Sequence, residues 1–162
     1  MDAVISDLLR IVSEEIKIYR NLIEHARRKT ALLIQGRADA ILESNKLEEA
    51  FNVKLRGLEN EMVSLCRDLS RIFRIPYEQF TLLKLADNLE QPLAQQIRSQ
   101  TALFGNIVRQ LKSISRRNMR LIEKSIQYSR GLLDLVSNAR GSYRPTGLFK
   151  PPSMHPTFSQ RA

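Results

Sequence analysis

The sequence predicts an all-α fold, an antiparallel coiled-coil bundle of three long helices plus one short helix, with a flexible C-terminal tail. Three observations carry the prediction. Apolar residues recur at alternating steps of four and three along most of the chain, the 3.5-residue period of a coiled coil. Helix-ending residues stand between these runs at Gly36, Pro76 and Gly141. Aromatic residues make up 6% of the 162 and Trp is absent, so the core must be built mainly of Leu, Ile and Val.

The first helix is expected from Asp2 to about Gln35, with a seam of Ile5, Leu9, Val12, Ile16, Tyr19, Ile23, Ala26, Thr30 and Leu33. Carrying that register across Gly36 would place Arg37 and Ser44 in the core. A turn at Gly36, the residue type that tolerates a left-handed C-terminal position, is therefore expected. The second helix follows from about Ala38 to Phe73, with Leu55, Leu58, Met62, Leu65, Leu69 and Ile72 as its clean seam. Its polar first half, around Asn45–Ala50, predicts a weaker contact. Ile75-Pro76 ends it, because the residue before proline is driven out of helical conformation. A short helix from Tyr77 to about Leu89 is expected to pack through Phe80, Leu83 and Leu85. Pro92 then opens the longest helix, to about Ala139. Its seam reads Leu93, Ile97, Gln100, Phe104, Ile107, Leu111, Ile114, Asn118, Leu121, Ser125, Tyr128, Leu132 and Leu135. Asn118 and Ser125 interrupt an apolar line, and polar core residues set register at some expense in stability. The expected domains are a helical bundle over residues 1–140 and a tail over 141–162, where Pro145, Pro151, Pro152 and Pro156 fall without periodicity.

Short connections make successive helices antiparallel. At 1.5 Å per residue the first two helices are about 50–55 Å long and the last about 70 Å. The last helix is therefore expected to overhang the hairpin after about Gln127. Its apolar face also widens there, because Met119, Ile122, Ile126, Leu133 and Val136 follow directly on seam positions. For residues 119–126 the second neighbour is either the protein's own helix, a second copy or a partner. For Leu132, Leu133, Leu135 and Val136 the overhang favours a partner or a dimer.

The charge is uneven. Residues 1–70 hold 11 Lys/Arg against 12 Asp/Glu, and residues 71–162 hold 15 against 5. That asymmetry favours an acidic partner. Between Arg109 and Arg130 seven basic residues face Glu123 as the sole acid. Helical basic strips bind phosphate backbones, but base-stacking aromatics are missing apart from Tyr128 on the seam. A solvated face or an acidic protein partner is the better match, and no nucleic acid is expected.

Catalytic, cofactor and metal-binding signatures are absent. There is no Gly-rich phosphate loop, nucleophile elbow or metal-ligand cluster. His25 and His155 lie far apart and read as surface histidines, and Cys66 reads as a small core or boundary residue. No enzyme is expected, no cofactor and no metal. No run reaches the 18 apolar residues of a membrane span. The acidic start Met1-Asp2-Ala3 lacks signal-peptide character, and one cysteine cannot form an internal disulfide, so the expected compartment is a reducing cytoplasm.

The run Ser115-Arg116-Arg117-Asn118-Met119-Arg120-Leu121-Ile122-Glu123-Lys124-Ser125-Ile126, followed by Leu132-Leu133-Asp134-Leu135, resembles the FlgN family of flagellar export chaperones. Tyr143-Arg144-Pro145-Thr146-Gly147 resembles that family's Tyr…Gly tail motif, and Gln35-Gly36-Arg37-Ala38-Asp39 loosely matches its first interhelical turn. Ser115 departs from the pattern, since the family often has a second Asn there, and the Lys-then-Leu pattern early in the second helix is blurred around Lys46. The resemblance implies a chaperone that holds hook-associated flagellar proteins by their C-terminal helices. It would prevent their premature association and bring them to the cytoplasmic domain of the flagellar export gate. Client binding would fall on Asn118, Met119, Leu121, Ile122, Ser125, Ile126, Leu132, Leu133, Leu135 and Val136, and gate docking on Tyr143 and Gly147. From the helical pattern alone, a coiled-coil adaptor acting as a homodimer and a basic helical nucleic-acid binder stay open as alternatives.

Overall fold

The computed structural model describes the backbone of residues 2–141 and the side chains of residues 3–137. The elements are α1 (Asp2–Ile34), α2 (Ala38–Ile72), a 3-10 turn (Tyr77–Gln79), α3 (Leu82–Asp87) and α4 (Leu93–Gly141), with no strand among the described residues. The fold is therefore the expected all-helical one. Two units divide the chain, Met1–Leu121 and Ile122–Ala162, and α4 contributes to both.

In the first unit α1 and α2 form an antiparallel hairpin. Arg10 reaches Glu61 (3.4 Å), and Lys29 reaches Glu48 (2.6 Å). The N-terminal part of α4 lies against α1 and runs parallel to it. Gln100 donates to Ser13 Oγ (3.3 Å), the Phe104 ring meets Tyr19 edge-on (5.2 Å), and Asn118 reaches Ala26. The seam anticipated on α1 is the face turned to α4, since Tyr19, Ala26 and Thr30 belong to it.

A second stripe on α1 serves α2. It comprises Leu8, Ile11, Glu15, Leu22, His25 and Lys29, again at steps of three and four, except across Glu15 to Leu22. Leu8, Ile11, Glu15 and Leu22 are buried, while His25 and Lys29 make the polar pairs with α2. One helix with two buried stripes is what a three-helix arrangement requires. The core joins Ile5, Leu8, Val12, Ile16 and Ile23 of α1 with Leu69 of α2, Leu85 and Ala86 of α3, and Ile97 and Ile107 of α4.

Both long helices of the hairpin end in the same backbone motif. At the first end Arg37 N–H donates to the Leu32 carbonyl and Gly36 N–H to that of Leu33, with Gly36 at φ +65°. These are the paired bonds of a Schellman cap, and glycine takes its left-handed position without steric penalty. At the second end Ile75 bonds back to Ser70 and Arg74 to Arg71, with Arg74 at φ 54°. There a non-glycine residue occupies the left-handed position, and the Ser70 hydroxyl, donating to the Ile75 carbonyl (2.9 Å), helps to hold it.

Four expectations need correction. The short helix is two pieces: the 3-10 turn, and then α3, whose start is capped by Thr81 Oγ1 accepting from Lys84 N–H (3.1 Å). That cap sets the phase of α3 so that Leu85 and Ala86 are buried and Leu83 is exposed. Ile72 is also exposed, because the turn after α2 brings Phe73 rather than Ile72 against the core. His25 is no ordinary surface histidine. It is half-buried, with Nε2 3.0 Å from Ser44 Oγ and its ring edge-on to Phe51. That pairing explains why Ser44 is buried although the helix turns at Gly36.

Burial also tunes ionisation. Desolvation, and after it the Glu59 charge, pushes the Glu15 carboxyl above its ordinary value. Desolvation followed by Glu15 raises the Cys66 thiol, which is half-buried and free as anticipated.

Candidate functional site

The residues singled out from the sequence lie on one helix but in different surroundings. Up to Ile114, α4 presents seam residues that are buried or half-buried, among them Ile97, Phe104, Ile107 and Leu111. Asn118 continues this pattern. It is 5% exposed; its Nδ2 donates to the Ala26 carbonyl (2.9 Å), and its Oδ1 lies 2.6 Å from the Thr30 hydroxyl. A backbone carbonyl can only accept, so the amide orientation follows. The Thr30 hydroxyl has a single proton for two acceptors, Asn118 Oδ1 and the Ala26 carbonyl (2.9 Å). The amide is thus engaged inside the bundle as a register-setting core polar group, and no free face of it is offered to another chain.

Met119, next along, is exposed, whereas Leu121 and Ile122 are half-buried. From residue 123 to residue 137 every described side chain is exposed. Ser125 belongs to that stretch, as do Ile126, Leu132, Leu133, Leu135 and Val136, whose aliphatic side chains are between 45% and 67% exposed. Tyr128, on the same seam, is more exposed still. Five large aliphatic groups within eleven residues of helix form more exposed apolar surface than scattered surface leucines do. Such a face matches the stripe that an amphipathic helix presents to a partner helix.

The polar flank of this stretch is basic. Arg116, Arg117, Arg120, Lys124 and Arg130 are exposed, and none has a carboxylate within 4.0 Å among the described residues. Upstream on the same helix, Arg98 by contrast pairs with Asp87 (2.6 Å). An unpaired basic flank beside an apolar stripe suits an amphipathic partner with acidic margins. Tyr143 and Gly147 lie outside the described residues.

No group of His, Cys, Asp and Glu among the described residues has metal-ligand geometry, and no helix there is long and apolar enough to cross a membrane. Neither the curated proteins nor the solved structures contain a match to the chain. The family model described as "FlgN protein" matches residues 1–150, which takes in the whole described helical region. On that match the chain belongs to the FlgN family, whose members are chaperones of flagellum assembly and type III protein export.

Proposed function

We propose that this protein is a cytoplasmic flagellar chaperone that takes the C-terminal amphipathic helices of hook-associated proteins onto the exposed face of α4. The single observation that carries the reading is the run Ile126, Leu132, Leu133, Leu135 and Val136, left bare on a helix whose seam residues are covered earlier in the chain. Burying one such side chain against a partner stabilises a complex by about 1.5–3 kcal/mol. Several together supply enough to hold a client helix and to hide the stripe through which clients associate prematurely. Met119, Leu121, Ile122 and Ser125 adjoin this stripe and extend it. Delivery to the export gate rests on the Tyr143–Gly147 motif, because a phenol can seat its ring in a pocket while its hydroxyl finds a polar partner.

The test exchanges Leu132 and Leu135 together for Asp. We expect an unchanged unfolding midpoint and a fall in client affinity of about a hundredfold or more. Unchanged client binding would sink the reading. If the wild type is a dimer that these exchanges dissociate while client binding persists, the face is instead the seam of a homodimeric adaptor. Tyr143→Ala is expected to spare client affinity and weaken binding of the chaperone–client complex to the gate's soluble domain.

A further inference from the structure

A cavity of about 270 Å³ opens within the first unit, where α1, α2, the segment before α3, and α4 meet. Val12, Met62, Phe80, Leu82 and Phe104 give it apolar walls. Two polar groups break those walls. Glu15 is 8% exposed and makes no hydrogen bond or ion pair among the described residues. The Thr101 hydroxyl is buried and also lacks a partner. Cys66 and Thr81 complete the lining, which contains no Lys or Arg.

Buried polar groups in folded proteins are almost always satisfied, so a carboxyl on an apolar cavity wall with no partner among the described residues calls for a donor from outside the chain. An apolar cavity of about 150 Å³ accommodates benzene, and this one has room for a bicyclic ring. Desolvation by the apolar walls is the larger cause that disfavours the ionised Glu15 carboxyl, and the same desolvation opposes bringing in a cation, so the site suits a neutral N–H or O–H.

We propose that this cavity binds a ring-sized apolar group carrying one hydrogen-bond donor, the chemistry of an indole or a phenol, with Glu15 accepting from the donor. Such a group arrives either as a free small molecule or as a Trp or Tyr side chain of another polypeptide. The site belongs to the first unit and does not depend on the chaperone reading.

The full chain contains no Trp, so indole fluorescence in a titration belongs to the ligand alone. Indole is expected to bind saturably with a blue-shifted emission, and Glu15→Leu to weaken it about tenfold or more. Benzothiophene, which has the same shape without the N–H, is expected to be insensitive to Glu15→Leu. Because Cys66 is the single cysteine, bound indole should also slow its modification by a thiol reagent. That protection is read on the wild type and decides the matter even if Glu15→Leu does not fold. Competition by N-acetyltryptophanamide assigns the site to a polypeptide side chain, and binding of indole without such competition assigns it to a free small molecule. Absence of a saturable shift, or saturation without protection of Cys66, overturns the proposal.

Discussion

The two stretches of α4 carry one heptad pattern and meet opposite surroundings. From Leu93 to Leu121 the seam is buried or half-buried, and Asn118 spends its amide on α1. From Ser125 to Leu135 the same four–three alternation leaves every seam residue exposed. The comparison teaches that a heptad pattern specifies which side chains share a face, whereas a neighbour decides whether that face is a core or a binding surface. It also separates buried leucines, which contribute to stability, from exposed ones, to which the proposed function gives client recognition.

The largest expected contrast pairs Ile97→Ala with Leu132→Ala. Ile97 is buried in the core, so its truncation should lower unfolding free energy by about 2–5 kcal/mol. The Leu132 exchange should change it by no more than about 0.5 kcal/mol. Equal losses in urea denaturation would abolish the distinction between the two stretches.

Asn118 and Ser125 sharpen the same comparison with polar residues, since both hold seam positions. Asn118→Ala removes its bonds to the Ala26 carbonyl and the Thr30 hydroxyl from a buried site, leaving those two groups only each other, and should be destabilising by about 1–3 kcal/mol. Ser125→Ala should be silent within about 0.5 kcal/mol. Calorimetric melting of the two variants would show whether only the covered stretch depends on polar contacts.

The smallest difference is electrostatic and appears in a pH series. Folding raises the Glu15 pKa above its ordinary 4.5, chiefly through desolvation. The native state therefore binds that proton more tightly than the unfolded chain. The associated stability is full below the unfolded value and is lost as pH rises through the folded one. Glu15→Gln removes this loss, so its Tm should exceed that of the wild type near pH 7 and approach it near pH 4. Glu123→Gln, in the exposed stretch, should leave Tm unchanged at both pH values. A Tm for Glu15→Gln that tracks the wild type across the series would contradict the assigned burial.

Most of the helical layout was legible in the sequence. The seam of α1 that faces α4, the break at Gly36 and the stop at Ile75-Pro76 follow from period and turn chemistry. The stripe of α1 that faces α2 escaped the reading because Glu15, His25 and Lys29 interrupt it. A signal was present: Leu8, Ile11 and Leu22 each stand immediately before a seam residue, the doubling that drew attention to α4. Leu83 and Ile72 were misplaced because each lies within a turn of a helix end, where the cap decides the phase. In the candidate site, the aliphatic character of residues 126–136 was legible, while the withdrawal of Asn118 into the bundle was not.

By itself the sequence determined where helices form, where the hairpin turns, and which side chains share a face. Those outcomes rest on the 3.6-residue turn and on the left-handed preference of glycine, both local properties of the backbone. Only the tertiary structure decided which stripe of α1 meets which neighbour, that Asn118 bonds Ala26 and Thr30, and that Glu15 borders a largely apolar cavity. Burial and hydrogen-bond satisfaction depend on the surface a distant segment brings into contact, and no window of the sequence holds both sides of that contact.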